Sequence, residues 1–166
     1  MRKLFGILLF VFISFSLFAE SLPTYQKLCS KLKNLNGWKA EKCNGMNMSS
    51  NMGQIVTASK EYTKGKKNFT VAVFSGMQAM GYWSQFSANI QMETNEMYLK
   101  TTKINGFPAG ISMNKIDKSG GIFVCLNKNP QQCIAVLAFT FENMDKDEAL
   151  KLAKKFDWNS IANFFH

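Results

Sequence analysis

The chain has 166 residues, four cysteines, 20 basic against 11 acidic side chains, and a formal net charge of +9. It carries one histidine, His166 at the C-terminus, and one arginine, Arg2. Ser-His and Cys-His nucleophile pairs therefore lack a usable base. A surface whose cations are otherwise all lysine also lacks the bidentate fork that reads bases and grips phosphate, so specific nucleic-acid recognition is not expected.

Arg2-Lys3, an apolar run over 4–18 and Ala19 before Glu20-Ser21 have the layout of a secretory signal peptide cut after Ala19. The alternative is an uncleaved anchor, but the run is shorter than the roughly 20 residues that span a bilayer core. Removing 1–19 leaves 147 residues with net charge +7, enough for a single globular domain over 20–166. No later stretch is apolar enough to cross a membrane. A secreted or periplasmic destination is oxidising, so the four cysteines are expected to pair. Three pairings are possible. A turn containing Asn129-Pro130 favours Cys125 with Cys133, which leaves Cys29 with Cys43. No Cys-x-x-Cys or zinc-ligand spacing is present, and no cofactor is expected.

In chain order, Thr24 can cap a helix in which Tyr25, Leu28, Leu32 and Leu35 recur at helical spacing up to Asn36-Gly37. Residues 38–43 read as a short strand and Asn44-Gly45 as a turn. Residues 46–53 read as a polar loop carrying Met46, Met48 and Met52. Strands over 54–62 and 68–74 form a hairpin about a turn at 63–66. Residues 76–91 read as a short helix or a crossing loop. Strands over 96–104 and 109–116 flank Asn105-Gly106, a favoured hairpin turn. A turn over 118–121 leads to a strand over 122–126, and an almost wholly apolar strand follows over 134–141. Asp145 and Glu148 have the spacing of a capping box, with Ala149, Leu152, Ala153 and Phe156 on one helix face. Trp158, Ile161, Ala162 and Phe165 continue at helical spacing. These elements predict an α+β fold with a largely antiparallel sheet of about seven strands. N- and C-terminal helices would pack on it as an α/β/α sandwich and bury the 134–141 strand on both faces.

The run Ile104-Asn-Gly-Phe-Pro-Ala109, the returning strands, the apolar strand over 134–141 and the helix over 148–156 resemble PsbP-type α/β/α sandwich domains in layout. That resemblance implies a non-enzymatic accessory role and carries over no functional residue. The carboxylates over 142–148 are explained by capping, so no catalytic group is assigned. Thioethers suit Cu(I), so Met46, Met48 and Met52 are candidate soft-metal ligands if their loop wraps an ion. The plainer reading folds them back on the core. Tyr82, Trp83, Phe86 and Phe107 are candidates for a ligand or partner surface, against the plainer reading that they cover the sheet. The lysines fit either attraction to anionic lipid or polyanion, or simply a solvated surface. The sequence thus predicts an exported, monomeric or weakly associating binding or accessory domain. Its partner would be an unidentified protein or small ligand, met by the segments 44–53 and 77–92.

Overall fold

Phe69, Val71 and Val73 alternate with Asn68, Thr70 and Ala72, and this period of two sends one set to each face of a strand. The same alternation recurs along most of the sheet in the computed structural model, which describes residues 22–51, 53–127 and 129–165. The expected signal peptide and His166 lie outside the described residues. A short helix α1 (Tyr25–Cys29) precedes strands β1 (Lys39–Ala40), β2 (Asn44–Ser50), β3 (Gly53–Lys64) and β4 (Lys67–Ser75). Helix α2 (Met77–Ser84) leads to β5 (Gln91–Glu93), β6 (Met97–Ile104), β7 (Phe107–Asn114), β8 (Ser119–Cys125) and β9 (Ala135–Glu142). Helices α3 (Lys146–Ala153) and α4 (Trp158–Ala162) follow.

The nine strands form one sheet in the order β1-β3-β4-β9-β8-β7-β6-β5, with β2 also paired to β3, and every pairing is antiparallel. The two strands beyond the expected seven are β2 and β5. The protein is α+β and dominated by its sheet, with helices of only five to eight residues. Helices α1, α3 and α4 all bury side chains in one core, whereas the helix on the opposite face is α2, from mid-chain.

The larger core holds Leu28, Leu32 and Leu35 from the N-terminal segment, the inward residues of β3, β4, β7, β8 and β9, and Leu152, Phe156, Trp158 and Ile161. Phe139 lies at its centre, with Phe69 at 6.0 Å, Phe156 at 5.7 Å and Trp158 at 5.8 Å between ring centroids. The smaller core, on the other face, packs Ala79, Trp83 and Phe86 against Phe123, Cys125, Val136 and Ala138. The apolar run of β9 is explained by this arrangement. Leu137 and Phe139 face one core while Val136 and Ala138 face the other.

Three local expectations are corrected. The stripe of Leu28, Leu32 and Leu35 is buried, but the helix ends at Cys29. Lys60 Nζ donates to the Leu32 carbonyl at 3.0 Å and Tyr62 Oη to the Lys33 carbonyl at 2.6 Å. Side chains of β3 thus satisfy carbonyls that a longer helix would have used. Ser119, Gly120 and Gly121 belong to strand β8 rather than to a turn. Asp145 precedes α3 without a side-chain capping bond, and Glu148 pairs instead with Lys67 at 2.7 Å. An ion pair between β4 and α3 has displaced the capping box.

Tyr62 is fully buried, and burial raises its phenol above the ordinary value of 10.0. A raised value means the neutral phenol is favoured in the fold. Its contribution is complete below pH 10.0 and fades as pH climbs past that point. Tyr62→Phe should cost about 1 kcal/mol near neutral pH through the lost bond to Lys33. Urea denaturation should show the gap to wild type narrowing above pH 10.0.

Candidate functional site

Helix α2 covers only one end of the second sheet face. It starts at Gly76, whose φ of 67° suits glycine and whose amide donates to the Ile134 carbonyl at 2.8 Å. Trp83 Nε1 donates to the Pro130 carbonyl at 2.9 Å, which ties the helix to the loop closed by Cys125 and Cys133. Beneath it, Gly110 lies against the Phe86 ring, which occupies the space where a Cβ would stand. Gly110→Ala should therefore destabilise the protein by about 1–3 kcal/mol through overpacking. Trimming the ring in Gly110→Ala/Phe86→Leu should recover part of that loss in thermal denaturation, a non-additivity expected of side chains in contact.

Beside α2 the face opens into a groove of 360 Å³, within the size range of ligand sites. Tyr82 forms one wall, stacked on Phe74 at 4.5 Å and approaching Phe123 at 6.1 Å between centroids. Met46, from edge strand β2, also lines the groove. Small side chains make the floor: Ala72 and Ala138 leave room, and Thr57, Ser59, Thr70 and Thr140 add hydroxyls. Thr70 and Thr140 also line an adjoining polar trough of 510 Å³ with Glu61, Asn68, Ser119 and Glu142. There Asn68 Nδ2 donates to Glu142 Oε2 at 2.9 Å. The trough and the groove run together along the strands, apolar near α2 and acidic at the far end.

The segment expected as a Met-rich loop is strand β2, paired with β3 from Asn44 opposite Ser59 to Ser50 opposite Gly53. Its inner residues explain the pairing. Asn47 Oδ1 accepts from the Tyr25 amide at 2.7 Å, and a Cβ on Gly45 would lie 2.8 Å from Tyr25 Cβ. Met46 and Met48 therefore share the opposite face of the strand, 50% and 45% exposed. Met52 lies outside the described residues.

Of the four aromatics expected on a binding surface, Tyr82 is exposed and lines the groove. Trp83 and Phe86 are buried under α2. Phe107 is wholly buried on the opposite face, 6.2 Å from Trp158. The two-residue turn at Asn105-Gly106, both at positive φ, is so tight that Phe107 is already the first inward residue of β7. The structure thus joins Met46 of one expected segment with Gln78 and Tyr82 of the other in a single groove. The floor threonines, the alanines and Glu61 and Glu142 were missed. Their signal lies in β4, where Asn68, Thr70, Ala72 and Phe74 alternate with large apolar residues. That pattern marks a half-open face without showing what covers it.

Among the described residues, exposed methionine is confined to this side. Met46, Met48, Met77, Met80, Met92 and Met97 are exposed. Met92 is paired with Leu99 of the smaller core's margin, and Met97 shares the face of Leu99. The two buried methionines described, Met113 and Met144, belong to the larger core.

Compared with family models, curated proteins and solved structures, the chain matches none. The disulfides link Cys29 with Cys43 and Cys125 with Cys133, with Cα separations of 5.7 and 5.6 Å. Among the described residues no helix is long and apolar enough to cross a membrane. Nor do three His, Cys, Asp or Glu side chains among them gather as metal ligands, a pattern that does not address thioether sites.

Proposed function

We propose that this protein is an exported, non-enzymatic binding or accessory domain, secreted or periplasmic. Residues 20–166 form its single domain after loss of 1–19, and the groove between β2 and α2 is its binding surface. The observation that carries this reading is the groove itself. Exposed Met46 and Tyr82 line it together with a floor of alanines and hydroxyls, the mixture of apolar wall and few polar groups typical of ligand sites. Flexible thioethers adapt to the shape of an apolar partner. Both disulfides support the exported setting.

Affinity capture from a culture of the native host tests the reading. A partner retained by the wild type should be lost with Met46→Glu/Tyr82→Glu. It should be kept by Lys151→Glu/Lys154→Glu, which alters the α3 side. Loss with the lysine variant alone would shift the site to the helical face and favour a lysine-driven attraction to polyanions.

A soft-metal reading has one observation behind it, the shared face of Met46 and Met48 on β2. Titration with Cu(I) against a competing chelator tests it. Affinity unchanged by Met46→Ile/Met48→Ile contradicts it.

A further inference from the structure

The groove is not uniform, and its polarity points to one class of occupant. Resting on the reading of the groove as the binding surface, we infer that it takes an extended segment of a partner protein whose floor-facing side chains, every second residue, are apolar at one end and basic at the other. The apolar side chains seat against Met46, Phe74, Tyr82 and Phe123, and a lysine or arginine reaches Glu61 and Glu142.

Charge carries the argument. The chain is strongly basic, and five of its described carboxylates lie within 4.0 Å of a lysine amine. Of the five described carboxylates without such a partner, Glu61, Glu96, Asp117, Glu142 and Asp157, only the exposed Glu61 and Glu142 line the trough. They stand on the same sheet face. Glu61 is paired across the strands with Thr70, and Glu142 with Asn68 of the same strand β4. The position between them is a trough that presents negative charge to whatever lies along the strands. A cation placed there meets two carboxylates and no lysine that it must displace.

The floor separates a peptide from a lipid-like cation. An alkyl chain has no use for hydroxyls, yet Thr57, Ser59, Thr70 and Thr140 line the path from the apolar to the acidic end. An extended backbone presents amides and carbonyls that hydroxyls can satisfy, with alternate side chains turned toward the floor.

The test uses a short blocked peptide, Leu-Ser-Leu-Ser-Lys-Ser-Lys, whose leucines and lysines share one face when extended, its counterpart with glutamate for lysine, and dodecylammonium, each titrated into the protein with both disulfides formed. The lysine peptide should bind and the glutamate peptide should not. Glu61→Gln/Glu142→Gln, at exposed positions where folding is preserved, should weaken the lysine peptide by about tenfold, the sum of two surface charge pairs. Added salt should weaken it in the wild type and have little effect in the double variant. Equal binding of both peptides, or no change in the double variant, overturns the assignment of the cation site. Dodecylammonium binding in the groove where the lysine peptide does not overturns the peptide class. If Met46→Glu/Tyr82→Glu abolishes capture of a native partner while the lysine peptide fails to bind the wild type, the groove stands as the binding surface and this inference falls.

Discussion

Phe139→Ala should remove about 3–5 kcal/mol of stability, the range for deleting a fully buried aromatic ring. The ring is inaccessible to solvent and meets Phe69, Phe156 and Trp158, so it joins β4 to the C-terminal helices through β9. Alanine would leave a cavity bounded by rings that are themselves fixed by the sheet and by α4, with little freedom to collapse. Phe139→Leu refills most of that space and should cost less than half as much, near 1.5 kcal/mol. Urea denaturation at neutral pH measures both. A loss under about 1 kcal/mol for the alanine variant would mean that the larger core is not organised around this strand.

Opening the link between Cys29 and Cys43 should cost about 3 kcal/mol, and the link between Cys125 and Cys133 slightly less. Their sequence separations of 14 and 8 set that order through loop-closure entropy. The structural consequences differ. The first bond fastens α1 to the start of β2, so Cys29→Ala/Cys43→Ala should free the edge strand that carries Met46. The second closes the loop whose Pro130 carbonyl receives Trp83, so Cys125→Ala/Cys133→Ala should loosen α2 and the Tyr82 wall. Small domains are stable by about 5–15 kcal/mol, so losing both bonds removes a large share of the total. The reduced protein should unfold at a markedly lower temperature than the oxidised one. Identical melting curves with and without reductant would contradict the role given to these bonds.

The strand pattern was legible where one face is apolar and the other is not. In β4, Phe69, Val71 and Val73 alternate cleanly, and β9 shows through sheer apolar length. β2 escaped because nothing on it is held by hydrophobic burial. Its inner face rests on Gly45 and on Asn47 bonded to Tyr25, and its outer face carries methionines in solvent. Edge pairing supplied by a neighbouring strand has no periodic signature. α1 was read too long for a related reason. Its leucine stripe is real, but Lys60 and Tyr62, some thirty residues away, take the carbonyls that decide where it ends. Such contacts belong to the tertiary fold, and propensity yields to them.

The candidate site was legible only in its two walls. Methionines in a polar stretch and aromatics in a weakly helical one stood out as residues without an obvious core role, and Met46 and Tyr82 do both line the groove. Phe107 stood out equally and is core, because the tightness of its turn sets the face of the next strand. The floor was not legible. Threonine and alanine on a strand read the same whether a helix covers them or not, and only the short reach of α2 leaves them open.

Methionine methyl groups offer the most direct test of the central claim, because those exposed mark the second face and those buried mark the first. With methyl-labelled methionine, addition of a captured partner should shift the signals of Met46 and Met48 and leave Met113 and Met144 in place. Shifts at Met113 and Met144 with Met46 and Met48 unmoved would contradict the groove as the binding surface.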